Sequence, residues 1–340
     1  MVVDSGSSDG AIAVAFHLDG KHVVGGGHGG IRRWRFEAGP EVRKQTGIKL
    51  NAISVSRDHK WILCGTMVGA CMWDAEMRNK VIDVESTKRV SSVDVSPDST
   101  TFATGSGKAA SIWSLTTGKR LVGPVKYDVS VTAVRFSPSG ARIAIASYGG
   151  SIRILESRSG DKLITIETAT PSVWPSTPLA WSNDGLQIFA ASRDNKIKSF
   201  DVSTGSQLAE SQTLVVNPVD YVKSTVLAAN GKFIATFANR TISFLDISTL
   251  TRIGPLIEDG SQIYSIAISP DSGYLATGRR DGKITIRDLG GILPDVYGPF
   301  HVSICPSTLL ACQASLVPSP TLTHPVRHLI ASKDSQTRSL

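Results

Sequence analysis

The sequence predicts an all-β chain: a seven-bladed β-propeller of four-stranded antiparallel blades, followed by an irregular C-terminal tail. Three observations predict it. One segment recurs seven times, from His17, Ser56, Ser96, Ser137, Ser182, Ala228 and Ser269, at steps of 39, 40, 41, 45, 46 and 41 residues. Each copy holds the same succession of short alternating runs and turn residues. Four short strands in a unit of about 40 to 45 residues make one propeller blade.

Within a copy, each element has its own residue logic. The innermost strand alternates, as in "VTAVRF" (Val131 to Phe136), and stops at a Ser-Pro-Asp-Gly-like turn. A second strand of small residues follows, as in "RIAIAS", then a turn of Gly, Asp or Asn. The third strand closes on an aromatic-plus-acidic pair. A more variable fourth strand often runs into Gly-Pro, as in "RLVGPV" and "RIGPLI".

Blade one contains "VVGGGHGGIRRW", in which Gly25, Gly27 and Gly30 match the spacing G-x-G-x-x-G. A dinucleotide site needs a helix directly behind those glycines. Here Ile31 to Phe36 read as a strand, and Gly39-Pro40 ends it, so the glycines form a hairpin turn. The basic run Arg32 to Arg35 alternates between two faces and reads as a solvated edge.

The chain ends set the closure. "AIAVAF" begins almost at once, and Val2-Val3 is too short to predict an outer strand, so "DVYGPF" (Asp295 to Phe300) is expected to give blade seven its fourth strand. Closure would then rest on packing between blades one and seven, and truncation before Asp295 would bare the third strand of blade seven. Residues 1–300 form the expected propeller. Residues 301–340 are expected to hold a degenerate half-repeat (Val302 to Ser315) and an irregular or disordered stretch marked by Pro306, Pro318, Pro320 and Pro325.

From Ala11 to Gly291 the copies resemble the WD-repeat, or β-transducin-like, family. Its dipeptide stands at Trp73-Asp74 and, eroded, at Phe200-Asp201 and Leu245-Asp246. The other copies read Trp34-Arg35, Trp113-Ser114, Leu155-Glu156 and Arg287-Asp288, and the family's turn aspartate survives at Asp194 and Asp281. The resemblance implies a disc that holds other proteins or peptides. It also implies that the side-chain network of strong members is missing from most blades.

Composition narrows the rest. The 340 residues, 41% hydrophobic, contain no apolar run long enough for a membrane helix, and "MVVDSGSSDG" is no secretion signal. Four cysteines are too few for a disulfide scaffold, so a cytoplasmic or nuclear, non-secreted, non-membrane protein is expected. Cys64 and Cys71 fall on adjacent strands of blade two as small core residues. "TGSGKAAS" lacks the first glycine and the final Ser or Thr of a phosphate loop. Cys305, Cys312, His324 and His328 have a cysteine gap too long for a zinc finger. No nucleophile elbow and no His-Glu-x-x-His occurs. The reading is a non-enzyme with no catalytic, cofactor or metal residues, a propeller-fold hydrolase being the least favoured alternative.

The turns between second and third strands and the starts of the innermost strands share one rim. On it Tyr148, Arg193, Lys223, Tyr264 and Arg280 are the candidate partner-binding residues, because arginine and tyrosine anchor interfaces. The last four would be neighbours in blades five to seven. An acidic or phosphorylated protein segment suits a rim of this charge on a chain of net charge +7. The alternative is nucleic acid, with Tyr264 as a stacking surface. Limited proteolysis is expected to remove Val317 to Leu340 first and to leave the ring folded; early cuts inside the repeats would contradict the boundary.

Overall fold

In a computed structural model of the chain, residues 1–297 are described, apart from 9, 18, 37–42, 46, 169–178, 193–194, 215–221 and 228–230. Seven four-stranded antiparallel sheets form the ring. Blade one is Ala13–Phe16, His22–Gly27, Gly30–Arg35 and Arg43–Gln45; blade two is Leu50–Val55, Trp61–Thr66, Gly69–Asp74 and Lys80–Glu85. Blades three to six begin with Val90–Val95, Val131–Phe136, Leu179–Trp181 and Val222–Leu227, and each adds its three following strands in order. Each innermost strand lies beside the innermost strands of both neighbouring blades. Among the described residues no helix is long and apolar enough to cross a membrane.

In blades two, three, four, five and seven a serine builds the first turn. Ser96 Oγ donates to Asp98 at 2.6 Å and accepts the Thr101 N–H at 3.0 Å. Ser56, Ser182 and Ser269 do the same with Asp58, Asp184 and Asp271. A short polar side chain thus supplies the backbone bonds that a tight turn leaves unmade. In blade one His17 stands in the serine's place, and Asp19 instead holds the His22 ring at 2.5 Å and the Lys21 N–H at 2.8 Å. The acid after the third strand has a parallel task. Asp74 accepts Arg78 N–H, Asp201 accepts Ser203 and Thr204, and Asp246 accepts Ser248 and Thr249, each fastening the turn to the outer strand.

Seven apolar clusters fill the seams between blades. The seam of blades one and two buries Val24, Ile31, Leu50, Ile62 and Cys64; that of blades six and seven buries Phe233, Phe244, Ile263 and Leu275. Every blade therefore has both faces covered, which is why its second strand is buried over most of its length and, in "FIATFA", throughout.

Closure departs from the expectation. Blade seven is Ile263–Ile268, Tyr274–Arg279 and Lys283–Asp288, and its fourth strand is Val2–Asp4, with Val2 opposite Thr285 and Asp4 opposite Lys283. Flanking bonds lengthen so short a strand: Ser5 N–H donates to Gly282 O at 2.8 Å and Ile286 N–H to Met1 O at 2.7 Å. Asp295–Tyr297 is a single 3₁₀ turn that folds back on blade six, where the Tyr297 hydroxyl donates to Asp246 at 2.7 Å. The remainder of "DVYGPF", and the expected tail at 301–340, lie outside the described residues.

The same closure accounts for the glycine-rich stretch. The latch continues from Asp4 across the turn of blade one, and a Cβ on Gly27 would stand 2.1 Å from the Gly10 carbonyl oxygen. On Gly29 it would stand 2.5 Å from that of Gly6. The G-x-G-x-x-G hollow is filled by the chain's own backbone. The basic run behind it is also not a solvated edge, because Arg43–Gln45 covers that strand. Arg33 is buried, donating to Ala75 O at 3.2 Å and pairing with Glu76 at 3.0 Å, while Arg32 donates to Asp4 O at 3.1 Å. The run fastens blade one to blade two and to the latch.

Gly27→Ala is expected to destabilise the protein by about 1–3 kcal/mol in urea unfolding, the range of an overpacked site that must shift backbone. Gly291→Ala, whose added Cβ meets no atom of the described residues within 4 Å, is expected to stay within about 0.5 kcal/mol of the parent. Equal effects would refute the close passage of the latch.

Candidate partner-binding rim

One irregularity recurs where the innermost strands begin. In five blades the ladder to the second strand skips one residue: Asn51, Ser91, Thr132, Lys223 and Tyr264. Such a bulge bends the strand and re-aims a side chain. The backbone around it is tied to the neighbouring blade. Val131 N–H donates to Gly107 O at 2.7 Å, Ile263 N–H to Asn239 O at 2.7 Å and Ala11 N–H to Arg279 O at 2.8 Å. Within a blade, Tyr148 N–H donates to Ser130 O and Arg280 N–H to Gln262 O, each at 2.7 Å. The rim is therefore a fixed platform on which the turn residues stand.

The bulged residues divide by what they touch. Ser91 Oγ donates to Gly105 O and to Val131 O in the next blade, and Thr132 Oγ1 donates to Ala146 O. Asn51 is buried, and its Nδ2 finds no hydrogen-bond partner among the described residues. Tyr264 is 37% exposed, its ring lying over Gly10. Lys223 holds the bulged position in Val222–Leu227, but its side chain lies outside the described residues, as does Arg193.

Tyr264 and Arg280 stand together in blade seven, joined through the bond to Gln262, and the strand bearing Lys223 is next to that bearing Tyr264. Tyr148, 41% exposed, is in blade four. It borders a cleft of about 320 Å³ between blades three and four, shared with Lys88, Arg89, Ser130 and Thr132. The sequence reading missed Lys88 and Arg89. Their signal was two adjacent cations in "TKRV", directly ahead of an innermost strand.

Of the pair Arg279-Arg280, Arg280 is exposed while Arg279 is drawn inward. Asp259, buried between blades six and seven, accepts Thr277 Oγ1 at 2.7 Å and Arg287 Nη1 at 3.2 Å, and pairs with Arg279 at 3.1 Å. Burial alone would push its carboxyl up. The hydrogen bonds from Arg287 and Thr277 and the charges of both arginines outweigh burial and hold it below its ordinary 3.8. Blade three has a different device: Trp113 Nε1 donates to Thr104 Oγ1 at 2.9 Å, and Arg120 lies over the Trp113 ring at 4.8 Å. Among the described residues, no group of three or more His, Cys, Asp and Glu could hold a metal ion.

Residues 80–114, 119–155 and 251–288 match the family described as WD domain, G-beta repeat. The chain is 26% identical over 184 residues to autophagy-related protein 16 of Arabidopsis thaliana, covering 52% of this chain and 35% of that protein. It is 26% identical over 210 residues to eukaryotic translation initiation factor 3 subunit I of Scheffersomyces stipitis, covering 55% of this chain and 58% of that one. The β-propeller domain of Myceliophteria thermophila Cps50 (Swd1) superposes with a TM-score of 0.72 at 18% identity, over 85% of this chain and 99% of that domain. The chain thus spans less than two thirds of these two full-length relatives.

Asp259→Asn is expected to cost about 3 kcal/mol, because it leaves Arg287 on an uncharged partner in a buried site, while Arg279 keeps its pairing with Asp281. Arg280→Ala is expected to cost under about 0.5 kcal/mol. A depressed carboxyl contributes stability that is full above its unfolded value and is lost as pH falls through the folded one. Denaturation midpoints of the parent should therefore fall below about pH 4 more steeply than those of Asp259→Asn; parallel profiles would refute the role of this carboxylate.

Proposed function

We propose that this chain, a WD-repeat β-propeller of seven divergent blades, is a non-catalytic scaffold that holds an acidic or phosphorylated segment of another protein on its rim. The observation that carries the reading is the concentration of exposed cations and tyrosines on one fixed platform: Tyr264 and Arg280 in blade seven, and Tyr148 beside Lys88 and Arg89 across the cleft. Guanidinium and ammonium groups suit carboxylate and phosphate oxygens, and a half-exposed tyrosine offers contact area at low entropic cost. Arg193 and Lys223 belong to the same reading through their places in the repeat. The similarity of the chain to a translation initiation factor subunit and to an autophagy-related protein supports a scaffold over an enzyme.

The test is capture from a cell extract on the immobilised chain, read by quantitative mass spectrometry. Arg193→Glu with Arg280→Glu, or Lys88→Glu with Arg89→Glu, is expected to weaken capture of the specific partner by about thirty-fold, the worth of a 2 kcal/mol anchor. The unfolding midpoint should stay nearly unchanged. Unchanged capture by both pairs would place binding elsewhere. Captured nucleic acid, with affinity falling steeply as salt rises, would favour the nucleic-acid alternative.

A further inference from the structure

Cys64 and Cys71 face each other across the central hairpin of blade two, in a register that pairs Trp61 with Asp74, Ile62 with Trp73 and Cys64 with Cys71. The bond from Ala75 N–H to Lys60 O at 2.8 Å fixes the alternation of this ladder. Counting inward from that pair, positions 64 and 71 form a hydrogen-bonded pair, with Cα atoms about 5.5 Å apart. Disulfides accept Cα separations of about 4.4–6.8 Å. Both thiols are free, and both point into the seam with blade one, among Ile31, Leu50 and Met77.

The two thiols differ in access and in proton affinity. Cys64 is fully buried. Cys71 lines a cleft of about 460 Å³ open to solvent, together with Ile48, Trp73 and Lys80. The proximity of the two thiols draws Cys71 below its ordinary value, and with burial it pushes Cys64 above it. Cys71, 5% exposed, borders the cleft with one face of its side chain. Cys64 is sheltered and lies directly opposite it.

We propose that Cys71 is a modification site for hydrogen peroxide, with Cys64 as its resolving thiol. The Cys71 sulfur attacks one peroxide oxygen, the O–O bond breaks, and the departing hydroxide takes up the thiol's proton as water, leaving Cys71 as sulfenic acid. The Cys64 sulfur then attacks the Cys71 sulfur. The S–O bond breaks, a second water leaves with the Cys64 proton, and a disulfide joins the strands. The two thiols lose two electrons and two protons, and one peroxide becomes two waters. A hydrogen-bonded strand pair holds its Cβ atoms near the wide end of about 4.5–5.5 Å, beyond the roughly 3.8 Å of a relaxed disulfide. The strands must draw together to close the bond, so a dithiol reductant reopens it readily.

Both cysteines fall within Trp61 to Arg78, which contains no internal Lys or Arg and is released by trypsin as one peptide. The native full chain is treated with hydrogen peroxide, blocked with N-ethylmaleimide, unfolded and digested. The expected result is loss of both maleimide labels from this peptide, with a mass lower by two hydrogens, and recovery of both labels after dithiothreitol. In Cys64→Ser, Cys71 is expected to stop at sulfenic acid and be trapped by dimedone; in Cys71→Ser, Cys64 should stay untrapped. Full labelling of the peptide after peroxide, a disulfide from either cysteine to Cys305 or Cys312, or trapping of Cys64 in place of Cys71 would each overturn the proposal. Should a serine variant fail to fold, the peptide of the unaltered protein decides alone.

Discussion

The pairing of Val2–Asp4 with Lys283–Asp288 is the contact on which the ring depends. Six of the seven seams join blades adjacent in sequence. The seventh, where Ala11, Val14 and Trp34 meet Ala276, Ile284 and Ile286, must be brought together from opposite ends of the repeat array. Burial drives that meeting, but burial has no direction, and a sheet edge left open on blade seven would accept any strand. The latch supplies the direction. It occupies the edge, crosses the turns at Gly282, Gly27 and Gly29, and takes a bond from Arg32. Blade one and blade seven are thereby locked by a segment that belongs to one and crosses the other, where other seams combine apolar side chains with single backbone bonds such as Val131 N–H to Gly107 O.

Once the ring is closed, each blade's weaknesses are shared. The family dipeptide is intact only at Trp73-Asp74, yet the outer turns hold, because the acid is the part that matters. Asp201 and Asp246 cap their turns next to phenylalanine and leucine just as Asp74 does next to tryptophan. The polar links are local and unlike one another: a Trp–Thr bond in blade three, a buried carboxylate between two arginines at the joint of blades six and seven. What the blades have in common is the covered second strand, and five of them also share the serine-built first turn. Those two features set the strand register, and the apolar seams follow from it.

This division explains what could be read in the residues beforehand. Seven copies, their strand order and the hairpin nature of Gly25 to Gly30 follow from local patterns, since a turn serine, a small-residue strand and a missing helix are all visible within a dozen residues. The latch was not legible, because three residues with no periodicity carry no strand signal and the partner lies at the other end of the chain. For the same reason Arg33 looked solvated: the acceptors Ala75 and Glu76 come from the next blade. On the rim, Tyr148, Tyr264 and Arg280 were legible from alignment of the copies. Lys88 and Arg89 were not, because two cations in a linker look the same whether they face open solvent or border a cleft.

The separation of latch and partner also sets an order of events during synthesis. Val3 and its partner Ile284 stand 281 positions apart. At a translation rate of about 5–20 residues per second, the first strand waits tens of seconds for the edge it will occupy. Blades two to six can stack on one another as they leave the ribosome, whereas blade seven must remain three-stranded until Val2–Asp4 returns to it. A nascent chain halted late in the sixth repeat would therefore carry a nearly complete arc and an unclaimed first strand, and that is the stage at which holding chaperones have most to protect.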